Sequence, residues 1–91
     1  MNTFGKNQSR LLREARTRKG ISQREMDLAL GGSVKTKGQL TSNCERTKCG
    51  IPPKHVPTVC KALEIPLEDM LNAMIMDYAE NLKNEVSNVS L

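Results

Sequence analysis

Apolar positions recur at helical spacing in several stretches of the chain, and short polar breaks separate them. From Gln8 or Ser9 to Lys19, Leu11, Leu12 and Ala15 fall on one side, while Arg10, Arg13 and Arg18 point outward. Gly20 follows where a helix C′ residue belongs. The run "SQRE", Ser22 to Glu25, has the form of a capping box and predicts a short second helix with Met26, Ala29 and Leu30 inward. Gly31–Ser33 stops it. A similar run, "TKGQ" at Thr36–Gln39, predicts a third helix reaching about Thr47. Leu40, Thr41 and Cys44 share its inner face, and Lys37, Gly38, Gln39, Ser42, Asn43 and Arg46 share the outer one.

"GIPP", Gly50 to Pro53, forces a turn, and Val56, Val59, Cys60 and Leu63 then repeat at i, i+3, i+4, i+7. Pro57 lacks a donor and clashes with the carbonyl four residues back, so this fourth helix either starts near Pro57 or is bent in its first turn. After Pro66, Glu68 and Asp69 suit the positive end of a fifth helix. Its stripe, Leu67, Met70, Leu71, Met74, Ile75, Tyr78 and Leu82, continues for more than four turns. About 18 residues span roughly 27 Å. That exceeds what a domain of this size needs to close its own core, so part of the stripe is expected to pack on a second copy. Met1–Asn7 shows no periodicity and reads as a loose arm; residues 87–91 read as a fraying tail.

Composition narrows the class. The 91 residues suffice for one small domain. One Tyr, one Phe and no Trp leave Leu, Ile, Val, Met and Ala to form the core, which suits packed helices better than a β-sandwich. An all-α fold is the expectation. The five Met suit a core or an interface without aromatics. Charge is divided unevenly. Residues 1–63 hold thirteen Lys/Arg against Glu14, Glu25, Asp27 and Glu45, a balance of +9. Residues 64–91 hold Lys83 against six acids, a balance of −5. A basic body with an acidic last segment points to a polyanion on the body alone.

Candidate chemistry is narrow. Cys44, Cys49, His55 and Cys60 form C-x4-C-x5-H-x4-C, but tetrahedral sites favour closer pairs, and helical periodicity accounts for Cys44 and Cys60 as small buried hydrophobes. No metal and no cofactor is expected. His55 reads as an exposed helix-start residue or a phosphate neighbour. One His, no nucleophile motif and no phosphate-binding glycine loop argue against an enzyme. Three Cys, an odd count, with no secretory h-region suit free thiols in a reducing cytosol. The longest apolar run, "AMIM" at Ala73–Met76, is too short to cross a bilayer.

Two short helices joined by a turn, the second with a polar face of amides and cations, form a helix-turn-helix whose outer face suits base-edge reading. From Gln8 to Leu71 the chain resembles the Cro/CI (XRE) family of lambda-repressor-like DNA-binding domains. The matching words are "LLREARTRKGISQREM", "SNCER" with its basic loop, and "VCKALEIPLEDML". Two departures stand out: about three extra residues within Gly31–Lys35, and Thr47 where the family usually has the Gly that ends the recognition helix.

The resemblance implies a five-helix fold, with a helix-turn-helix DNA-binding domain over residues 8–66 and, as its extended last helix, a C-terminal amphipathic helix over 67–86 for dimerisation. It implies that Lys37, Gln39, Ser42 and Asn43 read base edges, with Gly38 allowing close backbone approach. It further implies that Gln23, Lys35, Arg46, Lys48 and Lys54 contact phosphate. Met70, Leu71, Met74, Ile75, Tyr78 and Leu82 would form the dimer interface. Glu45 would repel phosphate if it faced outward, so by family analogy it turns inward to pair with Arg16; removing either partner of such a pair costs on the order of 3–5 kcal/mol. The function implied is a cytoplasmic, nucleoid-associated transcriptional regulator. It would bind double-stranded DNA at a palindromic operator as a homodimer, with a tetramer left open. The alternative is a module of the same fold that binds a regulatory protein through its last helix, as an antitoxin or antirepressor partner does.

Overall fold

A computed structural model describes residues 5–88, and the chain is all-α. The helices are α1 (Lys6–Lys19), α2 (Gln23–Ala29), α3 (Gln39–Glu45), α4 (Val56–Leu63) and α5 (Leu67–Asn88). Single 3₁₀ turns at Val34–Thr36 and Pro53–His55 precede α3 and α4.

Local chemistry sets most of the boundaries. Gly20, at φ +71°, lets α1 close with two backbone bonds, Gly20 N–H to the Thr17 carbonyl and Ile21 N–H to that of Arg16. Ser22 opens α2 by accepting from the Glu25 amide at 3.1 Å. Pro57 falls in the first turn of α4, where its missing donor is harmless, so the helix starts beside it and is not broken.

The core gathers one face of every helix. Leu12, Met26, Val59, Leu63 and Met70 are almost fully enclosed, with Leu30, Cys44, Ile51, Val56, Cys60 and Ile65 around them. Burying one such aliphatic side chain is worth about 1.5–3 kcal/mol. α5 lies along α1, and Asp77 of α5 fixes the contact. Its buried carboxylate accepts from the amides of Asn7 (2.7 Å) and Gln8 (3.0 Å) and from Asn7 Nδ2 (2.8 Å). The two backbone amides are orphan donors of the first turn of α1. Gln8, also buried, accepts from the Ile51 amide at 3.0 Å and so ties α1 to the "GIPP" turn.

Several expectations need correction. The arm over 1–7 is too long, because α1 begins at Lys6 and Asp77 holds Asn7; residues 1–4 lie outside the described part. The tail over 87–91 is displaced, because α5 continues to Asn88, and residues 89–91 lie outside the described part. Met70 is no interface residue. It is wholly enclosed in the core of its own chain. Among the described residues, no helix is long and apolar enough to cross a membrane.

Candidate functional site

The third helix starts two residues later than a cap at Thr36 would put it. Thr36 does not cap it, since its hydroxyl bonds Asp27 Oδ2 at 2.6 Å and the Ser33 carbonyl at 2.7 Å. Lys37 and Gly38 follow with positive φ, +52° and +85°, and α3 begins at Gln39. Gly38 has a reason to lack a side chain. A Cβ there would lie 3.1 Å from Gln23 Cβ and 3.3 Å from the Arg24 amide, so its close approach is to the start of α2. α3 also ends early, at Glu45 instead of about Thr47.

The residue that organises this junction is Asp27 of α2, which is entirely enclosed. Its carboxylate accepts four hydrogen bonds: from Thr36 Oγ1, from the Gly38 amide (2.8 Å), from the Thr41 amide (2.9 Å) and from Thr41 Oγ1 (2.7 Å). Gly38 is the N-cap of α3, so Asp27 does for α3 what a capping side chain would do, but from the neighbouring helix. Burial pushes the carboxyl up, yet the hydrogen bonds from Thr36, Thr41 and Gly38 outweigh it and hold Asp27 below the usual carboxylate range. Thr41 Oγ1 also lies 3.0 Å from the Gln23 carbonyl, so its buried hydroxyl reaches a second point on α2. Sequence reading passes over Asp27. The signal is present, however, since it lies on the α2 wheel beside Leu30, at the edge of the buried arc.

A second anchor holds the other end of α3. Arg16 of α1 meets Glu45 with two bonds, Nε to Oε2 at 2.7 Å and the guanidinium NH2 to Oε1 at 3.0 Å, and a third bond reaches the Ile21 carbonyl at 2.8 Å. The side chains are 16% and 6% exposed, so solvent screens this pair far less than a surface one. Ser9 donates to the Glu45 carbonyl at 2.8 Å. α3 is thus clamped from α2 at its start and from α1 at its end.

The clamp leaves one face outward. Gln39, Ser42, Asn43 and Arg46 stand at i, i+3, i+4, i+7, with Gln39 and Arg46 exposed and Ser42 and Asn43 half-buried. Gln39 Nε2 donates to Asn43 Oδ1 at 2.8 Å, which aligns the two amides along the face. Lys37 is exposed just before α3. Lys35 is exposed on the first 3₁₀ turn, Lys48 after α3 and Lys54 on the second 3₁₀ turn, while Gln23, the first residue of α2, is half-buried. His55 is not the free surface group expected; it is half-buried with its imidazole against the backbone of Gly31. No family model, curated protein or solved structure matches this chain.

Elsewhere, α5 carries a long apolar face. Leu67, Leu71, Ile75, Tyr78, Leu82 and Val86 are all exposed, and at 100° per residue they fall within one stripe about 100° wide. Met74 lies between this stripe and the core, packed against the core. Beside the stripe a cleft of about 350 Å³ is lined by Gln8, Gly50, Met74, Asp77, Tyr78 and Leu82.

Proposed function

We propose that this chain is a lambda-repressor-like helix-turn-helix regulator that binds specific double-stranded DNA as a homodimer. The observation that carries the reading is the outward face of α3. It combines two aligned amides with a hydroxyl, flanked by the cations Lys37 and Arg46, on a helix held at both ends. An Asn or Gln amide pairs bidentately with adenine, and a Lys or Arg donates to guanine. Lys37, Gln39, Ser42 and Asn43 then face base edges, and Gln23, Lys35, Arg46, Lys48 and Lys54 face phosphate. Cation surplus on the body and acid surplus on α5 favour this polarity, since α5 stays clear of the polyanion.

The exposed stripe on α5 supports the dimer. An apolar face of this length is a liability on a monomer and self-complementary about a twofold axis. The revised interface is Leu71, Ile75, Tyr78 and Leu82, extended by Leu67 and Val86, with Met74 at its margin and Met70 excluded. Two recognition helices then meet successive major grooves about 34 Å apart. The same stripe supports the second reading, a module that binds another protein through α5. A protein that remains monomeric in light scattering at all concentrations favours that reading.

The deciding experiment is selection of bound duplexes from a random pool, followed by variants on the winner. Gln39→Ala lowers affinity for the selected duplex by about 1–3 kcal/mol and leaves random DNA alone. Lys48→Ala weakens both equally and reduces the salt slope by about 1. Equal losses on both duplexes for Gln39→Ala overturn the assignment.

A further inference from the structure

Two of the three thiols meet at the end of α3. Cys44 Sγ, on the buried face of the helix, lies 3.8 Å from Cys49 Sγ, which is exposed on the loop that follows. That loop is fixed on both sides of Cys49. Before it, the Thr47 and Lys48 amides bond back to the Cys44 and Asn43 carbonyls. After it, the Ile51 amide is held by Gln8 of α1. The two sulfurs therefore cannot drift far apart, and one of the two is open to solvent. Cys60, the third thiol, is buried in α4.

We propose that Cys44 and Cys49 form an oxidation site, which a hydroperoxide converts to an intramolecular disulfide that redraws the basic loop Arg46–Cys49. Cys49 reacts first, because peroxide can reach it. Its thiolate attacks the peroxide, the O–O bond breaks, a sulfenic acid forms, and the departing oxygen leaves as water. Cys44 sulfur then attacks the Cys49 sulfur. The S–S bond forms, the S–O bond breaks, and the hydroxide leaves with the Cys44 proton as a second water. Two thiols lose two electrons, and hydrogen peroxide is reduced to two waters. Burial, with the neighbouring Cys49, pushes the Cys44 thiol up to about 12. Cys44, buried beside Cys49, is the less accessible of the two thiols and is the one placed to resolve the sulfenic acid.

A disulfide needs its sulfurs about 2.05 Å apart, so one side must move. Cys44 is packed in the core and α3 is clamped at both ends, so the movement falls on the loop. The loop carries Arg46 and Lys48, which face phosphate in the DNA-binding reading; the effect on affinity rests on that reading, whereas the bond itself does not.

The test uses the whole protein treated with hydrogen peroxide, with Cys49→Ser and Cys60→Ala alongside. The expected product is a monomer lighter by two hydrogen atoms, with one Cys44–Cys49 linked peptide, reversed by dithiothreitol. Cys60→Ala forms it and Cys49→Ser does not. A covalent dimer through Cys49, stable gain of oxygen on Cys49, or a link to Cys60 overturns the site. On the selected duplex the oxidised form binds with a salt slope lower by about 1 for each displaced cation. An unchanged slope overturns the coupling to the loop. If the reduced protein prefers no duplex at all, the DNA-binding reading fails, and the peptide map still decides the disulfide.

Discussion

Asp27→Ala is the substitution that most directly probes how α3 is held. The carboxylate accepts four hydrogen bonds inside the protein, but the four donors are not equally exposed to its loss. Thr36 can fall back on the Ser33 carbonyl at 2.7 Å and Thr41 Oγ1 on the Gln23 carbonyl at 3.0 Å. The amides of Gly38 and Thr41 are bonded only to Asp27, and both are left unpaired. Each stranded buried donor costs about 1–3 kcal/mol, so with the lost packing the Ala variant is destabilised by about 3–5 kcal/mol. A domain of this length holds about 5–14 kcal/mol in all, so the loss is a large fraction. Asp27→Asn keeps an acceptor for Thr41 and strands only Gly38, which reduces the cost to about 1–3 kcal/mol.

The assay is urea unfolding followed by circular dichroism, repeated from pH 7 downward. The folded carboxyl titrates below its unfolded value of about 3.9, so its contribution is complete above that value. It disappears as pH falls through the lower folded value. The gap between wild type and Asp27→Ala should therefore narrow on acidification and never widen. An Ala variant within about 1 kcal/mol of wild type at pH 7, or a gap unchanged down to pH 2, refutes the reasoning.

Three further outcomes follow from the fold. Thr47 sits at φ +58°, a conformation unfavourable for a β-branched residue, so Thr47→Gly should stabilise the protein by about 0.5–1.5 kcal/mol once the entropy of glycine is subtracted, read as a higher thermal midpoint. Met70→Ala should cost about 2–5 kcal/mol in monomer stability, whereas Ile75→Glu should leave the monomer folded and shift light scattering from dimer toward monomer.

What the sequence made legible was whatever local chemistry decides. Gly20, the Ser22–Glu25 box and the apolar spacing of α1, α2 and α4 act within a turn or two, and the structure has those helices close to where the pattern puts them. The misreadings involve partners far along the chain. "TKGQ" looks like a cap, but Thr36 is drawn to Asp27 once α2 and the first 3₁₀ turn are in place, and Lys37 and Gly38 then turn left-handed. The expected dimer stripe is too wide for a related reason. The pattern reads as a single apolar band on α5, whereas Met70, Ala73 and Asp77 form a core-facing arc beside the exposed one. Asp77 lies in the middle of that arc, and an acid in such a position must find buried donors. The Arg16–Glu45 contact came from family likeness, because no local pattern relates residues on α1 and α3.

The clasp between Asp77 and the first turn of α1 bears on when the protein can assemble as it leaves the ribosome. The amides of Asn7 and Gln8 are made early, and their acceptor is made 70 and 69 residues later. Until α5 has emerged, the opening turn of α1 has no buried acceptor, and the core lacks Met70. Nascent chains should therefore stay loosely organised until α5 has been made and then consolidate in one concerted step.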